Sequence, residues 1–262
     1  MQRGKYTGKA SSVASIIDVL RPFNTDLYGA MYAEPEDMGS TAPHGCIWTK
    51  QIDVARHWLK AFLERQSGAL TSIYSLTSFM GTGTEVRLRL DASPWGIGGV
   101  LYINEAPKAW YAAKLDDHDV QILKVEIGES SCQQIAECLA QLVGLRIWGQ
   151  HWQKEGIILA ISADNMTSLH LADSMRSSSP SVNLIAREMA LTMGDSKYRP
   201  SIRDHLPGVA NKVADALSRK VAPRSQFQLP RSLLNIPETK APVRDASYYL
   251  CRPKSAALQS SR

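Results

Sequence analysis

Hydrophobic residues in the first 80 positions recur at helical spacing. Between Ser11 and Leu20 an apolar side chain returns every three or four residues, and the same spacing reappears from Thr49 to Gln66. Arg21 and Pro22 predict the end of the first helix, because a proline disfavours helical backbone in the residue before it. The pattern therefore predicts a small helical segment over residues 1–80.

The pattern changes to alternation from residue 84 onwards. Short apolar runs at Glu85–Leu90, Gly96–Ile103 and Lys108–Ala113 are separated by turn signals and predict three antiparallel strands. A helix is predicted from Ser131 to Trp148. The continuous apolar run Gly156–Ser162 that follows predicts a buried strand in parallel pairing.

The remaining elements complete an α/β domain. The polar stretch Asp116–Asp119 predicts a loop, Pro180–Met193 a helix that begins at proline, and Ser201–Asp204 a short strand. A last helix is predicted from Val209. The order βββ-α-β-α-(α)-β-α predicts a mixed five-stranded sheet flanked by helices over residues 84–220.

Basic charge is concentrated at the end of the chain. The net charge is +5, and residues 219–262 carry nine lysines and arginines, five prolines and only two acidic residues. This composition predicts an extended, flexible basic tail over residues 221–262. Such a tail either is simply solvated or attracts phosphate groups, and the sequence leaves both interpretations open.

The composition also indicates where in the cell the protein is expected. The chain has no run of 18 apolar residues, so we expect no membrane span and no membrane partner. The first residues lack the apolar core of a secretory signal, and the four cysteines show no C-x-x-C spacing. We therefore expect an intracellular protein, cytoplasmic or nuclear and not secreted, without a zinc site or disulfide framework.

Four acidic residues lie where separate elements could bring them together. Asp91 follows the first predicted strand, Glu137 lies within a helix, Asp164 closes the buried strand, and Asp215 lies on the last helix. Each alone has an ordinary structural explanation. Clustered carboxylates repel one another, so a shared site requires divalent cations, and a set of oxygen ligands favours Mg²⁺ or Mn²⁺.

Two local patterns support such a site. Ala140 and Gly144 follow Glu137 at one and two helical turns, which lets this helix approach a sheet closely. The segment His205–Arg219 is a turn followed by a helix on which Asn211 and Asp215 share a face. From the residues alone, Glu126 and Glu129 compete with Glu137 as the acidic member of this region; these two rivals lie in a poorly periodic stretch.

The residues around these carboxylates resemble the ribonuclease H domain of retrotransposon (LTR/DIRS-like) reverse transcriptases. The resemblance covers about Glu85 to Arg219. It rests on D-A-S-P-W-G-I-G-G-V-L from Asp91, E-C-L-A-Q-L-V-G-L-R from Glu137, S-S-S-P-S-V-N-L-I-A-R-E from Ser177, and H-L-P-G-V-A-N-K-V-A-D-A-L-S-R from His205. The family's helix pattern has Glu, Ala three residues on and Leu eight residues on, and it selects Glu137 over Glu129.

Two upstream strings resemble the segment that joins the polymerase to its ribonuclease H. They are G-K-A-S-S-V-A-S-I-I-D-V-L-R-P-F from Gly8 and W-T-K-Q-I-D-V-A-R-H-W-L-K-A-F-L from Trp48. No Y-x-D-D-like polymerase strand is present in this sequence, so polymerase activity is not assigned to it. A polymerase domain of the parent element is an expected partner. The basic cluster with which bacterial ribonucleases H hold the hybrid is not evident.

The resemblance implies hydrolysis of the RNA strand of RNA–DNA hybrids with two Mg²⁺ or Mn²⁺ ions held by the four carboxylates. Asp91 and Asp164 would be the central ligands, with Glu137 on one metal and Asp215 on the other. His205 would lie at the rim and assist proton movement or product release. The residues implied to contact the nucleic-acid backbone or sugar are Ser93, Asn165 and Asn211.

Three functions remain open at this stage. The first is an active hybrid ribonuclease, and the second is a catalytically inactive or repurposed retroelement fragment that binds nucleic acid. The third is a different nuclease or a transposase-like enzyme on the same fold. The four carboxylates favour the first, the missing polymerase strand favours the second, and the retroelement strings argue against the third.

Overall fold

The computed structural model describes residues 3–32, 49–64, 76–80, 82–152, 157–194 and 202–249. In chain order the helices are α1 (Arg3–Ile16), α2 (Arg21–Tyr32), α3 (Asp53–Leu63), α4 (Leu76–Phe79), α5 (Asp117–Leu123), α6 (Gln133–Ile147), α7 (Met166–Ser174), α8 (Pro180–Gly194), α9 (Lys212–Ser218) and α10 (Ala246–Tyr249). The strands are β1 (Thr84–Ser93), β2 (Gly96–Ile103), β3 (Ala106–Lys114), β4 (Ile157–Ala163) and β5 (Ile202–His205).

The chain divides into two compact units. The described parts of the helical unit are residues 3–32, 49–64 and 174–194, and those of the sheet unit are 76–80, 82–152, 157–173 and 202–249. The predicted boundary between residues 80 and 84 therefore describes only part of this division, because α8 is assigned to the helical unit and not to the sheet unit.

An aromatic cluster forms the core of the helical unit. Phe23 on α2 packs against Trp58 and Phe62 on α3, with ring centroids 6.0 and 6.1 Å apart. All three side chains are buried. The first helix ends at Ile16, before the predicted end at Arg21 and Pro22, and these two residues instead begin α2. Proline is tolerated in a first helical turn, where its missing N–H needs no partner.

Polar contacts attach α8 to α2 within the helical unit. The Asp26 carboxylate accepts hydrogen bonds from Arg187 Nη1 at 2.8 Å and from Asn183 Nδ2 at 2.9 Å. Burial raises the pKa of Asp26, and the charge of Arg187 opposes that rise. These two side chains of α8 explain in physical terms why the helix belongs with the upstream segment.

The sheet unit contains a mixed sheet with strand order β3-β2-β1-β4-β5. β1 pairs with β2, and β2 with β3, in antiparallel fashion, whereas β1–β4 and β4–β5 are parallel. The predicted mixed α/β class with helices flanking the sheet is confirmed. Val86, Leu88 and Leu90 alternate along β1 and are buried, as the hydrophobic pattern predicts.

Helices cover both faces of β1 at close range. A Cβ added at Gly144 of α6 would lie 3.2 Å from Leu90 Cδ2 on one face. A Cβ added at Gly98 of β2 would lie 2.6 Å from both Leu217 Cβ and Ser218 N of α9 on the other face. Glycine at position 98 is therefore required for α9 to reach the sheet.

The predicted loop at Asp116–Asp119 is wrong, because this stretch starts α5. The Asp116 side chain accepts a hydrogen bond from the Asp119 N–H, and the Asp119 side chain accepts one from the Asp116 N–H. This reciprocal capping box satisfies two free backbone donors of the first turn. A cluster of acidic residues that suggested a polar loop thus supplies the start of a helix.

The predicted flexible tail is wrong for residues 221–249, which pack on the sheet unit. Leu233 and Tyr249 are fully buried. The guanidinium of Arg244, 3% exposed, donates to both carboxylate oxygens of Asp119, from Nε to Oδ1 at 2.9 Å and from Nη2 to Oδ2 at 2.6 Å. The Tyr249 hydroxyl also donates to Asp119. Residues 250–262 lie outside the described residues.

Two further expectations concern the described residues only. None of their helices is both long and apolar enough to cross a membrane. Cys132 and Cys138 are free, buried thiols, while the other two cysteines lie outside the described ranges.

Candidate active site

Asp91 lies inside β1 and is 5% exposed. The parallel register pairs Arg89 of β1 with Ser162 of β4. The same register, continued by two residues, brings Asp91 level with Asp164. Asp91 lies on β1 and Asp164 follows the end of the neighbouring strand β4, so the register places the two residues at the same end of adjacent strands.

Asp164 follows the last residue of β4, and its loop contacts β5. His205 Nε2 lies 3.0 Å from the backbone oxygen of Asp164. A carbonyl oxygen only accepts hydrogen bonds, so this contact requires the proton on Nε2, which leaves Nδ1 of the neutral ring as an acceptor. The His205 side chain is exposed. The structure thus places the histidine at the edge of the site and next to Asp164.

Glu137 reaches the site from α6 and is 5% exposed. Burial raises the pKa of Glu137, and hydrogen bonds that the side chains of Gln133 and Asn165 donate to its carboxylate oppose that rise. Its Oε2 atom is buried without a hydrogen-bond partner. A buried carboxylate oxygen without a partner is costly, so this atom has unused capacity to accept a donor or a cation.

Asp215 approaches from α9, on the opposite side of the sheet from α6. Its Oδ1 atom lies 2.6 Å from Nε of Arg219, one helical turn further on. Both side chains remain about half exposed, at 43% for Asp215 and 54% for Arg219. Ser218, between them, is fully buried, and its hydroxyl lies 2.7 Å from Asp91 Oδ2 and 2.9 Å from the Asp215 carbonyl.

The four carboxylates influence one another electrostatically. Burial raises the pKa of Asp91 to about 7, the Ser218 hydrogen bond opposes the rise, and the charges of Asp164 and Asp215 add to it. Burial likewise raises the pKa of Glu137 to about 8, with further contributions from Asp164 and Asp91. Each of the four carboxylates therefore acts on at least one of the others.

These residues fit a hard divalent cation by their donor chemistry. The group supplies only carboxylate oxygens, which magnesium and manganese prefer. Repulsion between the carboxylates and the partnerless Glu137 Oε2 atom would both be relieved by a bound cation. Within the described ranges, no three His, Cys, Asp or Glu side chains are already arranged around a common ion position.

Two of the residues expected to contact nucleic acid are buried inside the protein. Ser93 is 0% exposed, and its hydroxyl donates to the Ser218 carbonyl at 2.8 Å. Asn211 is 2% exposed, and its Nδ2 donates to the Leu90 carbonyl at 3.0 Å. Both expectations are therefore wrong, since these side chains join α9 to the sheet and position Asp215. Asn165 is partly exposed.

Sequence reasoning missed three residues of the site. Ser218 and Arg219 stand in the string that carried the resemblance, yet their side chains were given no role. Gln133, one turn before Glu137, was also overlooked. The spacing of four residues in both Gln133–Glu137 and Asp215–Arg219 is the signal that could have found Gln133 and Arg219, because residues four apart on a helix are neighbours.

Comparison with known proteins gives two structural matches. No known family model matches the sequence, and no curated protein matches it significantly. RNase H1 from the halophilic archaeon Halobacterium salinarum NRC-1 aligns over 51% of this chain and 92% of its own, with 14% identity and a TM-score of 0.37. The foamy viral protease-reverse transcriptase dRH in complex with double-stranded DNA aligns over 71% of this chain and 30% of its own, with 11% identity and a TM-score of 0.30. TM-scores below 0.5 do not establish a common fold.

Proposed function

We propose that this protein is a metal-dependent endonuclease that hydrolyses the RNA strand of RNA–DNA hybrids, as the C-terminal part of a retroelement reverse transcriptase. The proposal is supported by the positions of four carboxylates, Asp91 on β1, Glu137 on α6, Asp164 after β4 and Asp215 on α9, and by the electrostatic influence that they exert on one another. Burial raises the pKa of Asp91 and of Glu137, and the charges of neighbouring carboxylates add to both rises. The mixed sheet, antiparallel over β1 to β3 and parallel beyond, agrees with the resemblance stated above.

In this proposal the four carboxylates hold two Mg²⁺ or Mn²⁺ ions. When bound, such ions activate water and stabilise the charge that develops at the scissile phosphate. Asp91 and Asp164 are assigned as the central ligands because they lie at the same end of the neighbouring strands β1 and β4. Glu137 approaches from α6 and Asp215 from α9, so each completes a different end of the group.

The remaining polar residues orient the ligands or move protons. Asn165 and Gln133 hold the Glu137 carboxylate through their side-chain amides. Ser218 holds Asp91. His205 has its Nε2 proton on the Asp164 carbonyl, so its Nδ1 atom can accept a proton at the exposed rim of the site.

Substrate selection follows from the same proposal. Recognition of a hybrid requires contacts to 2′-hydroxyl groups and to groove shape, with little reading of base sequence. Asn165, which is partly exposed beside Asp164, is the residue we assign to a sugar or backbone contact. A polymerase domain of the parent element is the proposed protein partner, and an intracellular location is proposed for the reaction.

A cleavage assay with one matched pair of variants tests the function. The protein is incubated with a hybrid labelled on its RNA strand, with Mg²⁺ or Mn²⁺. Asp164→Asn should reduce cleavage by at least about a hundredfold. Asp117→Asn removes an exposed carboxylate on α5 and should retain the activity.

The assay also separates the alternatives. Equal cleavage by the wild type and Asp164→Asn contradicts the assigned site. Tight hybrid binding without cleavage supports an inactive or repurposed nucleic-acid-binding fragment instead. Cleavage of duplex DNA in preference to the hybrid supports a different class of nuclease.

A further inference from the structure

One positively charged side chain, the guanidinium of Arg219, is already bonded to a member of the group formed by the four carboxylates. Arg219 immediately follows α9, and its Nε atom lies 2.6 Å from Asp215 Oδ1. This hydrogen bond raises the pKa of Arg219, and the charges of Asp91 and Asp164 contribute to the rise. Conversely, the charge of Arg219 lowers the pKa of Asp91. The guanidinium therefore acts on three of the four carboxylates.

The two ends of the carboxylate group differ in how their charge is compensated. At one end, Asp215 is paired with a guanidinium that remains about half exposed. At the other end, the neighbours that affect Glu137 are the carboxylates of Asp164 and Asp91 and the neutral amides of Gln133 and Asn165. The Oε2 atom of Glu137 has no hydrogen-bond partner. An added divalent cation would therefore find Oδ1 of Asp215 already bonded to Arg219, whereas Oε2 of Glu137 has no hydrogen-bond partner.

We propose that Arg219 is an internal counter-ion that a divalent cation must displace from Asp215, so that the two ends of the carboxylate group bind cations with unequal affinity. The inference rests on the proposed function, because it assumes that this group binds divalent cations. A divalent cation held by Asp215 would need its carboxylate oxygens as ligands. A guanidinium already bonded to Oδ1 opposes such a cation by charge repulsion and by occupying the oxygen.

Displacement would also give Arg219 a second use. Its side chain is long and half exposed, so it can leave Asp215 without disturbing the core. A planar guanidinium with several donors suits a phosphate group, which it can bind with two parallel hydrogen bonds. Arg219 is thereby placed to exchange a carboxylate for a substrate phosphate when a cation occupies Asp215.

Calorimetric titration of the metal-free protein with Ca²⁺ or Mn²⁺ tests the inference without measuring activity. In Arg219→Met, the weaker of the two binding steps should become about three- to tenfold tighter, because an exposed ion pair contributes up to about 1 kcal/mol and repulsion adds to it. Arg219→Lys keeps the charge but loses the planar fork, so its effect should be smaller. Arg231→Met removes an exposed charge elsewhere and should leave both steps unchanged.

A double-variant cycle identifies the oxygen at which the competition occurs. In an Asp215→Asn background, Arg219→Met should change cation affinity less than about twofold, since the competed carboxylate is gone. If the affinity of each binding step is the same in Arg219→Met as in the wild type, the inference is overturned and the proposed function still stands. Failure of every variant and of the wild type to bind either cation at millimolar concentration would overturn both. Circular dichroism of each variant checks that it is folded.

Discussion

The hydroxyl of Ser218 lies 2.7 Å from Asp91 Oδ2, and thereby joins α9 to β1 between residues 127 positions apart. Ser218 is fully buried, and its hydroxyl carries a single proton. It can therefore donate to only one acceptor at a time, either Asp91 or the Asp215 carbonyl at 2.9 Å. Burial raises the pKa of Asp91, and donation from Ser218 opposes that rise.

Removal of this hydroxyl should weaken both the fold and the site. We expect Ser218→Ala to lower the free energy of unfolding by about 1–3 kcal/mol, because a buried carboxylate loses a donor. Hybrid cleavage should fall by about tenfold as Asp91 loses its orientation. Urea unfolding and the cleavage assay measure the two effects. Ser225→Ala, at an exposed position, is the control and should change neither; an unaltered Ser218→Ala protein would show that the contact is unimportant.

The raised pKa values predict how stability depends on pH. Asp91 and Glu137 have folded-state pKa values of about 7 and about 8, above their ordinary values of 3.8 and 4.5. The folded protein therefore holds protons that the unfolded chain releases, and this stabilisation is complete below about pH 4 and is lost as the pH rises through about 8. We expect the Tm of the metal-free protein to fall between about pH 4 and about pH 8 and to level off above that range.

The same two carboxylates should respond to substitution. Asp91→Asn removes a buried charge, so it should raise the free energy of unfolding of the metal-free protein by about 1–3 kcal/mol at about pH 8 and flatten the pH dependence. Thermal unfolding in chelator-containing buffers measures both. Asp117→Asn should follow the wild-type curve, and parallel curves for Asp91→Asn and the wild type would disprove the assigned cause.

Close packing between β2 and α9 predicts a strict requirement for glycine at position 98. In Gly98→Ala the new Cβ would lie 2.6 Å from Leu217 Cβ, so α9 must shift. We expect a loss of about 1–3 kcal/mol in the free energy of unfolding, together with reduced cleavage because Asp215 moves with the helix. Gly149→Ala is a matched control, since a Cβ there meets nothing within 4 Å. Similar stability for the two variants would contradict the described approach of α9.

The buried ion pair between Arg244 and Asp119 predicts a large effect on stability outside the four carboxylates. Arg244→Met leaves the Asp119 carboxylate, 0% exposed, without its counter-ion. The expected loss is about 3–5 kcal/mol in the free energy of unfolding, measured with urea. The additional change Asp119→Asn should restore part of this loss, because it removes the unpaired charge. Arg231→Met should be close to neutral, and an equally small loss for Arg244→Met would contradict the pairing.

Hydrophobic alternation predicted the core of the sheet unit well. β2 begins and ends at the residues that its apolar run predicted, and β1 extends beyond the predicted Glu85–Leu90 run, so that Asp91 lies inside the strand. The spacing after Glu137 correctly indicated a helix face that approaches the sheet closely at Gly144. These features depend on local periodicity, which a sequence displays directly.

The features that sequence reasoning missed depend on contacts between distant residues. The resemblance predicts that Ser93 and Asn211 contact nucleic acid, but the packing of α9 on β1 buries both side chains. The prolines and basic residues of residues 221–262 predict an extended tail. The position of residues 221–249 depends instead on contacts such as the pairing of Arg244 with Asp119, 125 positions apart. Neither the packing of α9 on β1 nor the pairing of Arg244 with Asp119 can be predicted from residue type or spacing.

The segment that follows α9 also covers part of the edge strand β3 of the sheet. β3 is an outermost strand, and the backbone N–H of Trp110 donates to Pro237 O at 3.2 Å, while Thr239 N–H donates to Trp110 O at 2.7 Å. An uncovered outer strand presents unpaired backbone groups that can template self-association. A catalytic fragment shortened to residue 220 would expose that strand, so its solubility, rather than its chemistry, would decide whether it can be studied in isolation.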